Sequence, residues 1–204
     1  LFFCTPLFFS RRSQFLIKDI ENSVFNILYE ELAESTKKQW GTKKQRAVFK
    51  DGKRAVSSTT EEDSPGPPMS DVWKISIIAP QSRERLGYPT QKPEELLERI
   101  VKISTNKGDW VLDPFCGCGT TVAVAERLKR NWSGIDITIL AINLIKSRVE
   151  RSFPLIKGKV IVDGIPTDQA SAKALFRKDP YQFEMWAVGL LGGMWKETKG
   201  ADKG

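Results

Sequence analysis

Two carboxylates flank a glycine-rich segment in the middle of the chain, and together they suggest a nucleotide site. Asp113 ends the apolar run WVL and precedes a turn that contains two glycines, and a helix-like run opens at Thr120. A second apolar segment, Trp132 to Ile135, ends in Asp136. Strand, glycine turn, helix, strand and acid in this order are typical of a nucleotide-binding βαβ unit.

The glycine spacing and the neighbouring charge indicate which kind of nucleotide derivative would fit. A dinucleotide loop has glycines at G-x-G-x-x-G spacing and binds a pyrophosphate at the helix N-terminus, but the third position here is Val122. The carboxylate of Asp113 would repel a pyrophosphate and attract an ammonium group, and that of Asp136 suits a ribose diol. We therefore expect a nucleoside with a cationic tail, and S-adenosylmethionine has these parts. A glycine-rich turn without a ligand is the simpler alternative.

A helix is predicted just upstream of the loop. Pro93 suits a first helical position, and the run ELLERIVKIS has apolar residues at helical spacing before a stop at Gly108. The segments YPTQKPEELLERIV, GDWVLDPFCGCGTT and GIDI together resemble the amino-group DNA methyltransferases, which modify adenine N6 or cytosine N4. The resemblance runs from about Asp71 to Ile145. It implies an α/β fold with a Rossmann-like three-layer sheet, incomplete in this chain, that binds S-adenosylmethionine.

The resemblance also implies which residues would line the cofactor pocket. Residues of the TQKP segment would lie at the methionine end, namely Thr90, Gln91 and Lys92. The loop and the start of the next helix would surround the tail and the sulfonium through Asp113, Pro114, Phe115, Gly117, Gly119 and Thr120. Asp136 would hold the ribose hydroxyls, and Ile137 would flank the adenine.

One motif of that family does not occur in the sequence. The family uses a D/N/S-P-P-Y/F/W motif for catalysis, and the order of the other motifs implies a position before Leu1. The segment Asp179–Tyr181 has a single proline after a helix-like run, which is more typical of a helix start. We therefore assign no catalytic residue within the chain.

The resemblance thus implies an enzyme of the restriction–modification type. It would transfer a methyl group from S-adenosylmethionine to the exocyclic amine of adenine or cytosine in DNA, with this chain supplying mainly the cofactor-binding half. Two alternatives stay open. The chain could be a non-catalytic remnant or subunit that binds DNA or cofactor, or part of a methyltransferase for RNA or protein.

Composition supports an anionic partner. The formal net charge is +7 and the sequence pI is about 9.3, which suits a polyanionic partner. The resemblance implies that this partner is double-stranded DNA. The chain has no histidine, and two of its three cysteines, Cys116 and Cys118, lie inside the glycine loop. We therefore expect no metal site, and reduced thiols in the cytoplasm. The apolar run LFFCTPLFF is too short to span a bilayer, so no membrane association is expected.

Three parts are predicted along the chain. Residues 1–70 form a poorly defined target-recognition remnant, residues 71–165 the cofactor-binding core, and residues 166–204 the helical start of a truncated C-terminal module. In the first part, an amphipathic helix over 15–32 and a polar loop or linker over 34–68 are expected.

Further elements are expected after Asp136. The pattern predicts a helix to about Arg151, a short strand over 159–162, a helix capped by Asp168 and another over 181–191. The final residues, KGADKG, resemble the opening of a restriction-endonuclease-like module, whose acids and lysine would lie beyond Gly204. A disordered charged tail is the alternative for these residues.

Overall fold

The computed structural model describes residues 19–55 and 58–191. The chain divides into two compact units. Residues 24–74 form the first unit, which we call the hairpin unit. The described residues from 75 onward, together with 19–23, belong to the second, which we call the sheet unit.

The hairpin unit consists of one short helix and two antiparallel strand pairs. Its elements are α1 (Glu34–Trp40), β1 (Lys43–Arg46), β2 (Phe49–Lys50), β3 (Lys53–Arg54) and β4 (Ser58–Asp63). Strand β1 pairs with β4, and β2 pairs with β3 through a turn at Asp51 and Gly52, whose φ angles are 50° and 73°. Two successive positive φ angles are those of a type I′ turn, for which Asp-Gly is a preferred sequence. The expected loop or linker over 34–68 is therefore wrong for these stretches.

The helix expected over 15–32 is also absent from the described part of that range, residues 19–32. Tyr29 and Pro68 form an isolated antiparallel bridge. The Met69 N–H donates to the Leu28 carbonyl at 2.8 Å, and the Glu30 N–H donates to the Pro67 carbonyl at 2.9 Å. Pairing across this distance in sequence uses the backbone groups that a helix would need. Residues 15–18 of the predicted helix lie outside the described residues.

The sheet unit contains the predicted βαβ arrangement. Its elements in chain order are α2 (Glu94–Ser104), β5 (Trp110–Asp113), α3 (Thr120–Arg127), β6 (Asn131–Gly134), α4 (Ile139–Ser152), a 3₁₀ turn (Pro154–Ile156), α5 (Gln169–Lys178) and α6 (Pro180–Leu190). Strands β5 and β6 are parallel, and Asp113 is in register with Gly134. Helix α3 makes the crossover between them, as a parallel pair requires.

The fold class is α/β and incomplete, as predicted. Among the described residues, β5 and β6 pair only with each other, and Trp110 on β5 is largely exposed. A parallel strand is normally covered on both faces by helices. The exposure of this strand therefore agrees with a sheet of which the chain holds only part.

The core lies where α3 and α4 meet the loop after β5. Cys116, Val122, Ile145 and Val149 form a buried cluster, and partly buried apolar side chains surround it: Trp132, Ile142, Phe153, Ile156 and Val160. The helix predicted to about Arg151 is thus confirmed as α4, and Ile145 and Val149 belong to its buried face. The strand predicted over 159–162 is not formed. Val160 packs on the core while Ile161 is exposed, and no strand among the described residues pairs with this segment.

Side-chain caps begin the last two described helices, as predicted. The Ser171 N–H donates to Asp168 Oδ1 at 2.8 Å at the start of α5. The Gln182 N–H donates to Asp179 Oδ1 at 3.0 Å at the start of α6, with Pro180 in the first turn. Asp179–Tyr181 is therefore a helix start. Both helices belong to the sheet unit, and the three-part division of the chain remains a prediction.

Candidate cofactor site

The two acids named from the sequence follow neighbouring parallel strands. Asp113 is the last residue of β5, and Asp136 comes two residues after β6. The Ile135 N–H donates to the Asp113 carbonyl at 2.9 Å, which extends the strand pairing to the residue just before Asp136. Both carboxylates therefore lie at the carboxyl edge of the sheet, where open α/β sheets bind ligands.

Both glycines of the loop occupy positions that require glycine. Gly117 and Gly119 have φ angles of +48° and +72°. A Cβ on Gly119 would lie 2.7 Å from Ile145 Cγ1, and one on Gly117 would lie 3.2 Å from the ring of Tyr88. The loop is thus packed between α4 and the Tyr88 ring, and Gly119 caps α3 in the left-handed conformation.

The side chain of Asp136 is anchored by hydrogen bonds from the loop and from α4. Its Oδ2 accepts from the Gly117 N–H at 2.9 Å, and its Oδ1 accepts from the N–H and the hydroxyl of Thr138 at 2.9 and 2.8 Å. A carboxylate offers about four acceptor sites. The three bonds therefore fix its orientation and leave capacity for a further donor, such as a sugar hydroxyl.

The carboxylates of Asp113 and Asp136 act on titratable groups in and beside the loop. Burial raises the pKa of the Cys116 thiol to about 12, and the charges of Asp113 and Asp136 add to this rise. Burial also raises the pKa of Tyr88, with Asp136 as the next cause. Charges that oppose ionisation of a thiol and a phenol favour a cationic ligand over a phosphate.

Apolar surface is exposed beside the two acids. The side chain of Phe115 is 76% exposed and that of Ile137 is 89% exposed. Phe115 comes two residues after Asp113, where its N–H donates to Asp113 Oδ1 at 3.1 Å, and Ile137 follows Asp136 directly. Each acid is thus accompanied by an exposed apolar side chain.

The TQKP segment lies beside the loop, although one of its side chains is used internally. Gln91 Oε1 accepts from the Leu86 N–H at 2.8 Å, and Gln91 Nε2 donates to the Glu84 carbonyl at 2.6 Å. Thr90 and Lys92 are exposed. Tyr88, just before this segment, reaches Gly117. The predicted ligand contacts of the three TQKP residues remain predictions, and the amide of Gln91 orders the 84–91 turn.

The hydroxyl of Thr120 is also engaged within the protein. Thr120 is buried, and its Oγ1 lies 3.5 Å from Cys118 Sγ and accepts from Arg148 Nη1 at 3.4 Å. Pro114 is half-buried at the start of the loop. The roles predicted for these two residues in ligand binding stay predictions.

Sequence reasoning missed two residues of this region, Tyr88 and Arg148. Tyr88 covers Gly117, and Arg148 is only 4% exposed and donates to the Cys118 carbonyl at 3.1 Å. The signal for Arg148 was available: it lies three residues after Ile145 and just before Val149, so it interrupts the apolar face of α4. A charged residue in an apolar face is expected to have a buried partner.

Residues 19–55 and 58–191 contain neither a cluster of potential metal ligands nor a helix that could span a membrane. No group of three or more potential metal ligands lies together there. Within the same residues, every helix is too short or too polar to cross a membrane.

Comparison with known proteins gives the family. A family model for N6/N4 DNA methylases matches residues 9–147, which is more than half of the chain. The chain therefore belongs to this DNA methylase family, in agreement with the resemblance in its TQKP and glycine-loop segments.

Curated relatives match the chain over part of their length. The type II methyltransferase M2.DpnII of Streptococcus pneumoniae is 44% identical over 90 residues, which are 44% of this chain and 34% of that protein. The type II methyltransferase M.HpaI of Haemophilus parainfluenzae is 44% identical over 84 residues, covering 41% and 27%. The DNA adenine methyltransferase YhdJ of Escherichia coli K12 is 36% identical over 122 residues, covering 60% and 38%. The chain thus spans 27% to 38% of the length of these relatives.

Solved structures also match in part. The M1.HpyAVI–SAM complex is 43% identical in sequence, covers 32% of this chain and 32% of that chain, and has a TM-score of 0.31. TTHA0409 from Thermus thermophilus, described as a putative DNA modification methylase complexed with S-adenosyl-L-methionine, is 41% identical and covers 31% and 26%, with a TM-score of 0.30.

Proposed function

We propose that this chain supplies the S-adenosylmethionine-binding part of a DNA amino-methyltransferase of the restriction–modification type. The substrate of the transfer would be the exocyclic amine of adenine or cytosine. Membership of the N6/N4 DNA methylase family supports the reaction class. The observation that carries the proposal is the glycine loop with a carboxylate at the end of each flanking strand, since this arrangement favours a cationic nucleoside.

Each part of the cofactor corresponds to a feature of the site. When bound, S-adenosylmethionine would supply a methyl group activated by the sulfonium charge. Asp136 would accept from the ribose, for which it has an acceptor site left, and the exposed side chain of Ile137 would suit the adenine. The charge of Asp113 favours the cationic sulfonium and ammonium groups. The remaining proposed contacts come from the TQKP segment and the loop: Thr90, Gln91, Lys92, Pro114, Phe115, Gly117, Gly119 and Thr120.

Double-stranded DNA is the proposed macromolecular partner, and the cytoplasm the proposed location. The net charge of +7 supports binding to a polyanion. The protein would act mainly by positioning and electrostatics, because a methyl transfer to an amine needs no covalent enzyme intermediate.

A second candidate is a cofactor- or DNA-binding subunit without its own catalytic motif. The observation that favours it is the lack of a D/N/S-P-P-Y/F/W motif in the 204 residues. Asp179–Tyr181 does not replace this motif, because these residues begin α6 and Asp179 caps that helix.

Calorimetric titration with S-adenosylmethionine tests the proposed cofactor. We expect the chain to bind it and Asp136→Ala to abolish binding, because the substitution removes both the ribose acceptor and the anchor of the Gly117 N–H. Asp109→Ala is the matched control, since Asp109 lies at the opposite end of β5 and accepts from the Asn106 N–H at 2.7 Å. A folded chain that releases no heat with the cofactor would contradict the proposal.

A methyl-transfer assay tests whether the chain alone transfers a methyl group, and to which class of acceptor. The chain would be incubated with tritiated S-adenosylmethionine and, in parallel, with DNA, RNA and a protein mixture. Binding without transfer to any of them is the result expected of a chain that lacks the catalytic motif. Transfer to DNA by the chain alone would mean that another segment performs catalysis, and preferential transfer to RNA or protein would exclude DNA as the substrate.

A further inference from the structure

Two side chains on one face of helix α4, Ile145 and Arg148, contact the glycine loop. Ile145 packs against Gly119 so closely that a Cβ on that glycine would lie 2.7 Å from Ile145 Cγ1. Arg148 follows one turn later, and its guanidinium is almost completely buried. A buried guanidinium is tolerated only when its donors find partners, so its contacts show what the helix holds in place.

The partners of Arg148 come from two separate segments. Its Nη1 donates to the Cys118 carbonyl at 3.1 Å and to Thr120 Oγ1 at 3.4 Å, both in the loop and the start of α3. Its Nη2 donates to Glu94 Oε1 at 2.6 Å. Glu94 is the first residue of α2 and lies two residues after Lys92 of the TQKP segment.

Glu94 is itself held from two further directions. Its N–H donates to Glu84 Oε1 at 2.6 Å, which caps the start of α2. Its second carboxylate oxygen pairs with Arg127 of α3, and Arg127 also donates to Glu98 Oε2 at 2.8 Å. Arg148 is the member of this network that contacts the loop carbonyl.

We propose that Arg148 is a positioning residue that fixes the TQKP segment and the second half of the glycine loop relative to each other. These are the segments assigned above to the methionine end of the cofactor. Asp136 and Ile137, assigned to the adenosine end, follow β6 and are held by Gly117 and Thr138 instead. The inference rests on the proposed function, and it predicts that loss of Arg148 affects the two ends of the cofactor unequally.

The test compares two ligands by calorimetry on the 204-residue chain. S-adenosylmethionine carries both ends, whereas 5′-methylthioadenosine lacks the amino-acid tail and the positive charge. For Arg148→Met, we expect the affinity for S-adenosylmethionine to fall by roughly tenfold or more, because the two segments at its methionine end would no longer be fixed relative to each other. The affinity for 5′-methylthioadenosine should change by less than about threefold. Arg148→Lys should lose less affinity for S-adenosylmethionine than Arg148→Met, because lysine keeps the positive charge but not the planar guanidinium with its several donors.

Arg127→Met is the matched control. The substitution removes the guanidinium that pairs with Glu94 Oε2 but leaves the hydrogen bond from Arg148 to the Cys118 carbonyl. Its effect on the ratio of the two affinities should be small. Glu94→Gln weakens the ion pair between Glu94 and Arg148. This variant should likewise lose affinity for S-adenosylmethionine but not for 5′-methylthioadenosine. This variant decides the question if Arg148→Met does not fold, as judged by circular dichroism.

The outcomes distinguish this inference from the proposed function. If the unaltered chain does not bind S-adenosylmethionine, the proposed function fails first. If it binds, and the Arg148 or Glu94 variants lose both ligands equally or lose neither, Arg148 is not a positioning residue for the methionine end and only this inference is overturned. A selective loss that Arg148→Lys partly restores supports it.

Discussion

The hairpin unit and the sheet unit are stabilised in different ways. None of residues 24–53, 55 and 58–74 is buried, and the strands β1 and β4 are linked by exposed pairs such as Lys44 with Glu62, at 3.4 Å. In the sheet unit, Val122, Val124 and Val149 are fully buried. Exposed ion pairs contribute little to stability, whereas apolar burial is the main favourable term.

This difference bears on the proposed cofactor site, which lies in the sheet unit. Ligand selection by charge requires carboxylates at fixed positions, and a packed core supplies such positions because it tolerates few alternative arrangements. The conformation of the loop after β5 is restrained by packing against Ile145 and Tyr88 and by the hydrogen bond from the Gly117 N–H to Asp136. The exposed strands of the hairpin unit have no comparable restraint from buried side chains in the described residues.

The largest expected contrast between the units concerns two glycines with nearly the same backbone conformation. Gly119 has φ +72° and Gly52 has φ +73°, but only Gly119 has no room for a Cβ. We expect Gly119→Ala to cost about 2 to 5 kcal/mol of unfolding free energy, from left-handed strain plus overpacking, and Gly52→Ala about 1 to 2 kcal/mol. Denaturant unfolding with hydrogen exchange would assign each loss to its unit. Equal losses would mean that Ile145 can move aside and that the loop is less restrained than described.

Core truncation should show the same contrast with a smaller effect. Val149→Ala removes two buried methyl groups from α4, and we expect a loss of about 2 kcal/mol. Val72→Ala makes the same change at an exposed position of the hairpin unit and should cost less than about 0.5 kcal/mol. Thermal or denaturant melts would measure both, and a similar cost at the two positions would contradict the difference in burial.

The alkaline pH dependence should identify the buried thiol of the loop. The pKa of Cys116 is raised from 9.0 to about 12 in the folded chain, so the folded state holds this proton more tightly than the unfolded state. Its stabilising contribution is therefore present below pH 9 and is lost as the pH rises from 9 towards 12. Melting temperatures of the unaltered chain should fall relative to Cys116→Ala over that range.

Alkylation provides a second readout of the same thiol. At a pH of about 8.5, iodoacetamide should modify Cys116 slowly in the folded chain and rapidly in urea, as measured by tandem mass spectrometry of the loop peptide. Fast modification in the folded chain would contradict the burial of this side chain.

The smallest effect is expected for the exposed ion pairs of the hairpin unit. A double-mutant cycle with Lys44→Met and Glu62→Gln should give a coupling energy below about 1 kcal/mol, and salt should reduce it further. Unfolding in low and high salt would measure this. A coupling of several kcal/mol would show that charge pairs hold the hairpin unit far more strongly than exposure allows.

The features predicted correctly from the sequence are local ones. The βαβ unit between Trp110 and Gly134 is marked by apolar runs, two glycines and a helix start within a short stretch. Asp168 and Asp179 cap their helices through bonds to residues three positions ahead. Such features depend on neighbouring residues alone, which is why a single sequence reveals them.

Apart from the turn at Asp51 and Gly52, the wrong or missed features depend on residues far apart in the chain. Strand β1 needs β4 as a partner, and the segment 159–162 is not a strand because no partner is found for it in the described residues. The Asp51-Gly52 pair was a local hairpin signal, but the surrounding polar composition concealed it. The link between Glu94 and Arg148 joins residues 54 positions apart, and no local pattern reports which acid a buried arginine will meet.

Competition between ligand classes tests the central claim most directly. The chain would be titrated with S-adenosylmethionine, NAD and ATP under the same conditions, with crystals soaked in each. The account predicts that S-adenosylmethionine binds at the loop between Asp113 and Asp136, and that NAD and ATP bind at least about a hundredfold more weakly, a difference of roughly 2.7 kcal/mol. Binding of NAD or ATP in that loop, with S-adenosylmethionine excluded, would contradict it.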